Sequence, residues 1–309
     1  MEYYQKIQQA YKEEVADIFD GHVVIEEKID GSQFRIEIKQ DGTITCGSHH
    51  QDGIIVDSMF KLGIENAQHI FANYKPSEDI TVFCEYLSSV KQNSIPYGKV
   101  PLHNLIIFDV KRDTLYLNRS QKELFAKEHG MEIVPILWEG NGSEISIDGK
   151  LNEAFRDELL KRQSCLGHGA GFDRIEGFVV KNYAKFYDIN RYPHYEGHWK
   201  CIKIVNDSFK EKNHEENPNR TNKFQELKDN YRTEARCLKT IQHLKEKGLL
   251  KGDLSDLGQL VPEMKRDIEE EEGEGLKNTL YKMFAPEILG YATKEMIPTY
   301  KKYLGMSVD

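Results

Sequence analysis

Between His22 and Ser48 the chain runs in three short segments, VVIEEKID, SQFRIEIKQ and TITCGS, broken by Asp30-Gly31 and Asp41-Gly42. β-Branched and aromatic residues in such runs suit a pleated, half-buried surface. Asp-Gly between two alternating runs predicts a tight hairpin turn. This opening commits the chain to antiparallel sheet. ITVFCEYLSS, HNLIIFDVKRD, MEIVPILWEG, IEGFVVKNY and HWKCIKIV add further strands. Between them, GIIVDSMFKLGIENAQHIFANY is expected to be mostly helical, and SQKELFAKEHG reads as a helix closed by Gly130. GKLNEAFRDELLKRQSCLGHG predicts another helix, and residues 1–20 a short amphipathic one ended by Asp20-Gly21.

Past residue 206 the character changes. NHEENPNRTNK is polar and rich in breakers, which marks a linker. KFQELKDNYRTEARCLKTIQHLKEKG follows as one amphipathic helix, with Leu227, Tyr231, Leu238, Ile241 and Leu244 near a single stripe. Strand signals are few from there on. The expected architecture is α+β: a domain of antiparallel sheets with flanking helices over 1–205, then a small all-helical domain over 206–309.

Five cysteines, scattered and without a C-x-x-C pair, argue against a disulfide framework or structural zinc and for a reducing, cytoplasmic setting. No apolar run approaches the ~20 residues of a membrane span. The polar N-terminal stretch has no signal-peptide core. A net charge of -9 argues against a passive nucleic-acid coat, but not against an enzyme with a local basic patch.

Four strands carry charges that an apolar run does not explain. They hold Glu85 in VFCEYL, Asp109 in LIIFDV, Glu176 and Lys181 in IEGFVVK, and Lys203 in CIKI. Buried charges are costly unless they are paired or face a polar site. They follow, in order, Lys28-Ile29-Asp30-Gly31. A lysine ending a strand at the mouth of a pocket suits a covalent nucleophile, if its surroundings deprotonate it. Taken alone, Lys-x-Asp-Gly reads more readily as an exposed turn than as a site. Other features are bland. His49 and His50 are neighbours on a strand and point to opposite faces, which disfavours joint metal ligation. Cys84 reads as a small core residue.

The ordered set Lys28-x-Asp30-Gly31, Phe83-x-Glu85, Phe108-Asp109, Glu176-Gly177-x-Val179-x-Lys181 and a closing lysine strand resembles motifs I, III, IIIa, IV and V of the covalent nucleotidyltransferases. These are the polynucleotide ligases and mRNA capping enzymes, whose nucleotidyltransferase domain is ATP-grasp-like. The chain is most similar to the RNA ligase 2 type, which includes RNA-editing ligases. It shares that type's early motif I, with no domain before it, and its helical C-terminal domain. The resemblance implies ATP as cofactor, with Mg²⁺ or alternatively Mn²⁺. It implies that Lys28 attacks the α-phosphate and carries AMP, while Asp30 and Gly31 shape the nucleotide loop. Glu85 would hold the ribose hydroxyls, Phe108 would stack on adenine, and Glu176 would bind the metal. Lys203 would contact the α-phosphate, with Lys181 a second candidate. Glu26 and Ile29, flanking Lys28, would line the same pocket. The implied partner is RNA with 3'-OH and 5'-phosphate ends, in duplex form, handled by a monomer. The alternatives are a DNA ligase, a capping guanylyltransferase or a non-catalytic nucleotide- or RNA-binding module. The first two normally carry an OB-fold after motif V, where this chain reads as helices.

Two departures stand out. The type carries K-x-K in motif V, whereas here Val205 lies two residues after Lys203. Lys200 lies three before it and, in a regular strand, on the opposite face. Lys200 is kept as a second candidate, although Phe209 sits where an aromatic is expected after Lys203. An arginine is also expected after the hairpin, where this chain has TCGSHH; Arg35 or His49 would replace it. Finally, Lys210–Lys251 holds eleven basic against seven acidic residues. Arg220, Lys223, Lys228, Arg232, Arg236 and Lys239 read either as a solvated helix face or as a phosphate-tracking surface.

Overall fold

The hairpin expected at Asp41-Gly42 is present: Ser32–Ile38 pairs antiparallel with Ile44–Ser48, and Asp41 Oδ1 accepts from the Thr43 N–H at 2.8 Å. The computed structural model describes residues 3–5, 7–9, 13–49, 59–91, 95–169, 171–192, 195, 197–206 and 223–304. In chain order the first elements are β1 (Gln8–Gln9), β2 (His22–Lys28), β3 (Ser32–Ile38), β4 (Ile44–Ser48), α1 (Lys61–Ile70), β5 (Ile80–Tyr86) and β6 (Leu105–Arg112). Then come β7 (Leu115–Tyr116), α2 (Arg119–Glu128), β8 (Glu132–Ile133), β9 (Ile136–Asn141), β10 (Ser146–Ile147), β11 (Lys150–Leu151) and α3 (Glu153–Leu160). The last are β12 (Gly177–Phe186), β13 (Trp199–Val205), α4 (Lys223–Asn230), α5 (Glu234–Glu246), α6 (Leu257–Thr293) and α7 (Met296–Tyr303).

The strands form two main sheets. One has the order β1-β13-β12-β2-β9; the other is β4-β3-β5-β6-β7, with β8 added parallel to β6. The outer side of the second sheet packs Phe34, Ile36, Val82, Cys84 and Ile107 against Ile64 and Ala67 of α1 and Phe125 of α2. The outer side of the first packs Val23, Ile25, Phe178, Val180 and Ile202 around Leu159 of α3. Burial stabilises by about 1.5–3 kcal/mol for each large apolar side chain. The cores therefore fix the register, and the residues between them must face the space between the sheets. That space holds an aromatic cluster of Tyr4, Phe83, Tyr116 and Trp199, with Phe108 and Tyr183 against it. The expected α+β class, with antiparallel sheets, flanking helices and a following helical segment, is what the chain adopts.

Two expectations need correction. The described part of residues 1–20 is not an amphipathic helix; it contains the two-residue strand β1 and a single 3-10 turn, Glu13–Val15. β1 pairs in parallel with Ile202 and Lys203, a long-range contact that no local pattern announces. The single helix expected over 223–248 is two helices, α4 and α5, with Thr233 capping the second through the Arg236 N–H. Its buried face is also different. Arg236, Thr240, Leu244 and Glu246 are buried, while Leu238 and Ile241 are exposed.

The chain divides into two compact units, Met1–Leu249 and Leu250–Asp309. The second holds the long α6 and the short α7. Among the described residues no helix is long and apolar enough to cross a membrane.

Candidate functional site

Lys28 is the last residue of β2, and Ser32 is the first of β3 in the other sheet. The chain therefore crosses between the sheets through Ile29, Asp30 and Gly31. Ile29 anchors the crossing in an apolar cluster with Leu87, Tyr97 and Ile106. The Asp30 N–H donates to Tyr97 Oη at 2.7 Å, and Asp30 Oδ2 accepts from the Ile95 N–H at 3.1 Å. Gly31 leaves little room for a side chain: a Cβ there would lie 3.0 Å from Glu85 Oε2 and from the Tyr86 carbonyl oxygen, tighter than ordinary contact. Its absence lets the crossing press against the Glu85 strand.

Across the ladder Lys28 faces Gly177, the residue after Glu176. A Cβ on Gly177 would meet the Ile204 carbonyl oxygen at 2.2 Å, so this glycine lets β13 lie close by. The Lys28 ammonium donates to both Glu176 oxygens, at 2.7 and 2.8 Å. Burial alone would lower the Lys28 pKa, but the Glu176 and Glu85 carboxylates hold it above the ordinary lysine value. Burial pushes Glu176 up to about 6, against the pull of Lys28. Burial likewise pushes Glu85 up to about 8, opposed by Lys28 and reinforced by Glu176, Asp30 and Glu246. Lys203 acts electrostatically on Glu176, which places its charge on this side of β13. Lys28, Asp30, Glu85, Glu176 and Lys203 thus converge as the sequence expects.

Phe108 sits where the register between β5 and β6 shifts: Phe83 pairs with Asp109 and Cys84 with Ile107, leaving Phe108 as the extra residue of a bulge. Bulges re-aim side chains. The Phe108 ring packs against Tyr4, edge to face at 4.9 Å between centroids.

The structure places other expected site residues elsewhere. Lys181 is buried, and its ammonium reaches Glu26 Oε2 at 2.7 Å, Asp109 Oδ2 at 2.8 Å and the Phe108 carbonyl at 2.8 Å. A lysine has three donors, so these contacts commit all of them and correct its reading as a phosphate contact. Glu26 likewise belongs to this buried network and does not line an open pocket. Lys200 points to the opposite face of β13 and donates to Asp17 Oδ1 at 2.6 Å, which corrects its candidacy. Arg35 is fully buried, with Nε and a terminal nitrogen 2.9 and 2.6 Å from the Ser48 carbonyl, and the Tyr3 ring is 4.2 Å from its guanidinium carbon. It is a structural clasp rather than a surface contact for nucleic acid. Arg232 is exposed, whereas Arg220, His50 and the side chain of Lys223 lie outside the described residues. His49 Nδ1 lies 2.7 Å from Gln33 Oε1.

Sequence reading missed the other half of the buried network. Lys122 is fully buried and reaches Glu26 Oε1 and Asp109 Oδ1 at 3.0 Å and the Phe108 carbonyl at 2.8 Å. Arg119 donates to Glu26 Oε1 and the Val134 carbonyl, both at 2.8 Å. Tyr4 donates its hydroxyl to Asp109. Arg119 and Lys122 share the buried side of α2 with Phe125 and Ala126. Cations on an apolar helix stripe were the available signal. Burial opposes ionisation of Glu26, yet Lys122, Lys181 and Arg119 hold it well below the usual carboxylate range. Also missed was α5. Gln242 donates to Ser32 Oγ at 3.0 Å and to Glu246 Oε1 at 2.7 Å, placing the helix beside the Lys28 crossing.

A family model described as RNA ligase matches residues 21–205. No curated protein matches. Among solved structures, the Naegleria gruberi RNA ligase with PPi aligns at a TM-score of 0.48 and 14% identity, covering 68% of this chain and 57% of that one. A mutant of that ligase with ATP and Mn aligns at 0.44 and 14% identity, covering 67% and 57%. The chain spans about 57% of the length of these ligases. The family match runs from the residue before the Lys28 strand to the end of the Lys203 strand, over more than half of the chain, and the chain belongs to the RNA ligase family.

Proposed function

We propose that the chain is an ATP-dependent RNA ligase that joins 3'-OH and 5'-phosphate ends through lysyl-AMP and adenylylated-RNA intermediates, at nicks in duplex RNA. The observation that carries this reading is the convergence of Lys28 on Glu176, with Glu85, Asp30 and Lys203 around them. In this reading residues 1–205 perform the nucleotidyl transfer and residues 206–309 hold RNA, with Arg220, Lys223 and Arg232 among the phosphate contacts.

Each step is a displacement at phosphorus in which an incoming nucleophile expels one leaving group: pyrophosphate oxygen first, the Lys28 nitrogen second and AMP oxygen last. The Lys28 amine forms the N–P bond to the α-phosphate of ATP, and pyrophosphate leaves. The RNA 5'-phosphate oxygen then takes AMP from Lys28, and finally the 3'-hydroxyl oxygen attacks that phosphate and AMP leaves. Phe108 stacks on adenine, Glu85 accepts from the ribose hydroxyls, and Lys203 steadies the charge on the α-phosphate. Mg²⁺ or Mn²⁺ prefers hard oxygen ligands, and Glu176 supplies such a carboxylate at the nucleophile. When bound, the metal neutralises phosphate charge. Glu176 would be drawn away from Lys28 by a metal that it holds, which weakens the ion pair seen at 2.7 and 2.8 Å.

A pH dependence follows. Glu176 titrates near 6 and Lys28 sits above its ordinary value, so both need protons removed for attack. At limiting Mg²⁺, single-turnover lysyl-AMP formation should rise about tenfold per pH unit through neutrality and fall about a hundredfold per unit below about 6, where both protons must be lost. A flat profile from pH 5 to 8 would contradict these roles.

The function is tested by sealing nicked duplexes in which either side of the nick is RNA or DNA. Efficient joining should require RNA at the 3'-OH side and ATP. Equal sealing of all-DNA nicks, or covalent labelling by GTP in place of ATP, would favour the sister activities.

A further inference from the structure

We propose that the last described turns of the chain, from Tyr291 to Tyr303, form a stacking platform for single-stranded RNA, separate from the basic stretch 210–251. This rests on the reading of the chain as one that handles RNA, and it concerns the Leu250–Asp309 unit by itself.

Charge is divided sharply along this unit. Residues 263–274 hold seven acids against Lys265 and Arg266, whereas 277–304 hold five lysines against Glu287 and Glu295. Arg266 in the acidic half is neutralised by Glu263 and Glu270, and Lys277, the first of the five lysines, by Glu274. Among the described residues Lys294, Lys301 and Lys302 make no ion pair. Lys294 instead lies over the Tyr291 ring, at 5.5 Å. Tyr291 is 75% exposed, Tyr300 58% and Tyr303 83%. The rings of Tyr300 and Tyr303 stack on one another, 6.1 Å apart and 14° from parallel.

Large exposed aromatics mark a binding surface. Their interleaving with unneutralised lysines selects its ligand. Bases have π-faces that stack on aromatic side chains without regard to sequence, and the phosphates between them meet the ammonium groups. An anionic lipid surface would meet the same lysines, and a second copy of the chain would meet the same rings. Those surfaces can also take rings and lysines together, but membership of the RNA ligase family favours RNA as the occupant.

The test measures binding of a short fluorescein-labelled single-stranded RNA by anisotropy, using the full chain. Changing Tyr291, Tyr300 and Tyr303 together to Ala should weaken binding at least tenfold, because each lost stack is large. Changing Lys294, Lys301 and Lys302 to Ala should flatten the slope of log affinity against log salt by about two, at about 0.7 per phosphate contact. Lysyl-AMP formation without RNA should be unchanged in both variants, which separates this proposal from the ligase reading. RNA affinity within twofold of the parent in the tyrosine variant, with helicity retained, would overturn it. So would rings that prove, by sedimentation or phosphatidylserine-vesicle binding, to serve self-association or lipid while RNA affinity stays unmoved.

Discussion

Replacing Glu176 by Gln is expected to lower lysyl-AMP formation by about two orders of magnitude or more. Two effects oppose one another. The amide cannot hold the Lys28 ammonium as Glu176 does, at 2.7 and 2.8 Å, so the nucleophile loses the main charge that keeps it protonated. That change favours attack. The same substitution removes the carboxylate that the proposed mechanism offers to the metal, whose charge stabilisation at phosphorus would be worth several kcal/mol. Each 1.36 kcal/mol is a factor of ten, so the metal loss wins. Single-turnover labelling across a Mg²⁺ series checks this, and part of the deficit should return at high metal. A Gln variant that labels faster than the parent would mean that the ion pair, not the metal, is the main business of Glu176.

Lys122→Met is expected to destabilise the chain by about 3 kcal/mol, because three buried acceptors, the Glu26 and Asp109 carboxylates and the Phe108 carbonyl, each lose a charged donor. Lys122 is one of three cations that balance Glu26 and Asp109 between the sheets. Without it, the Glu26 and Asp109 carboxylates keep only Lys181 and Arg119 as buried cationic partners. The thermal midpoint should fall by about 10 °C. Lys122 and Lys181 also both donate to the Phe108 carbonyl, so the bulge that aims the ring loses one of its two ammonium contacts. The KM for ATP in the labelling reaction should therefore rise in whatever folded fraction remains. A midpoint within about 2 °C of the parent, with KM unmoved, would show the network to be dispensable.

The sheet strands were legible because alternation and Asp-Gly turns are local signals. The opposite faces of Lys200 and Lys203 were legible too, since strand period alone decides them. β1 was not, because edge pairing with Ile202 and Lys203 depends on residues almost two hundred positions away. The buried side of α5 was misread for a different reason. An apolar stripe ordinarily marks the packed face, but here Arg236, Thr240 and Glu246 are packed, and neighbouring Gln242 meets Ser32. In the site, single misplaced charges pointed to the right strands without separating two uses of charge. Glu85 and Glu176 surround Lys28, whereas Glu26, Asp109 and Lys181 neutralise each other with Lys122 and Arg119. Only side-chain geometry distinguishes Lys181, whose donors are committed to Glu26, Asp109 and the Phe108 carbonyl, from Lys203, which acts on Glu176.

Incubation with Mg²⁺ and α-labelled ATP, followed by denaturation and electrophoresis, tests the central role of Lys28 most directly. The expected result is label that survives denaturation on the parent chain and is absent from Lys28→Ala. An unlabelled parent chain, or label that persists in Lys28→Ala, would contradict it.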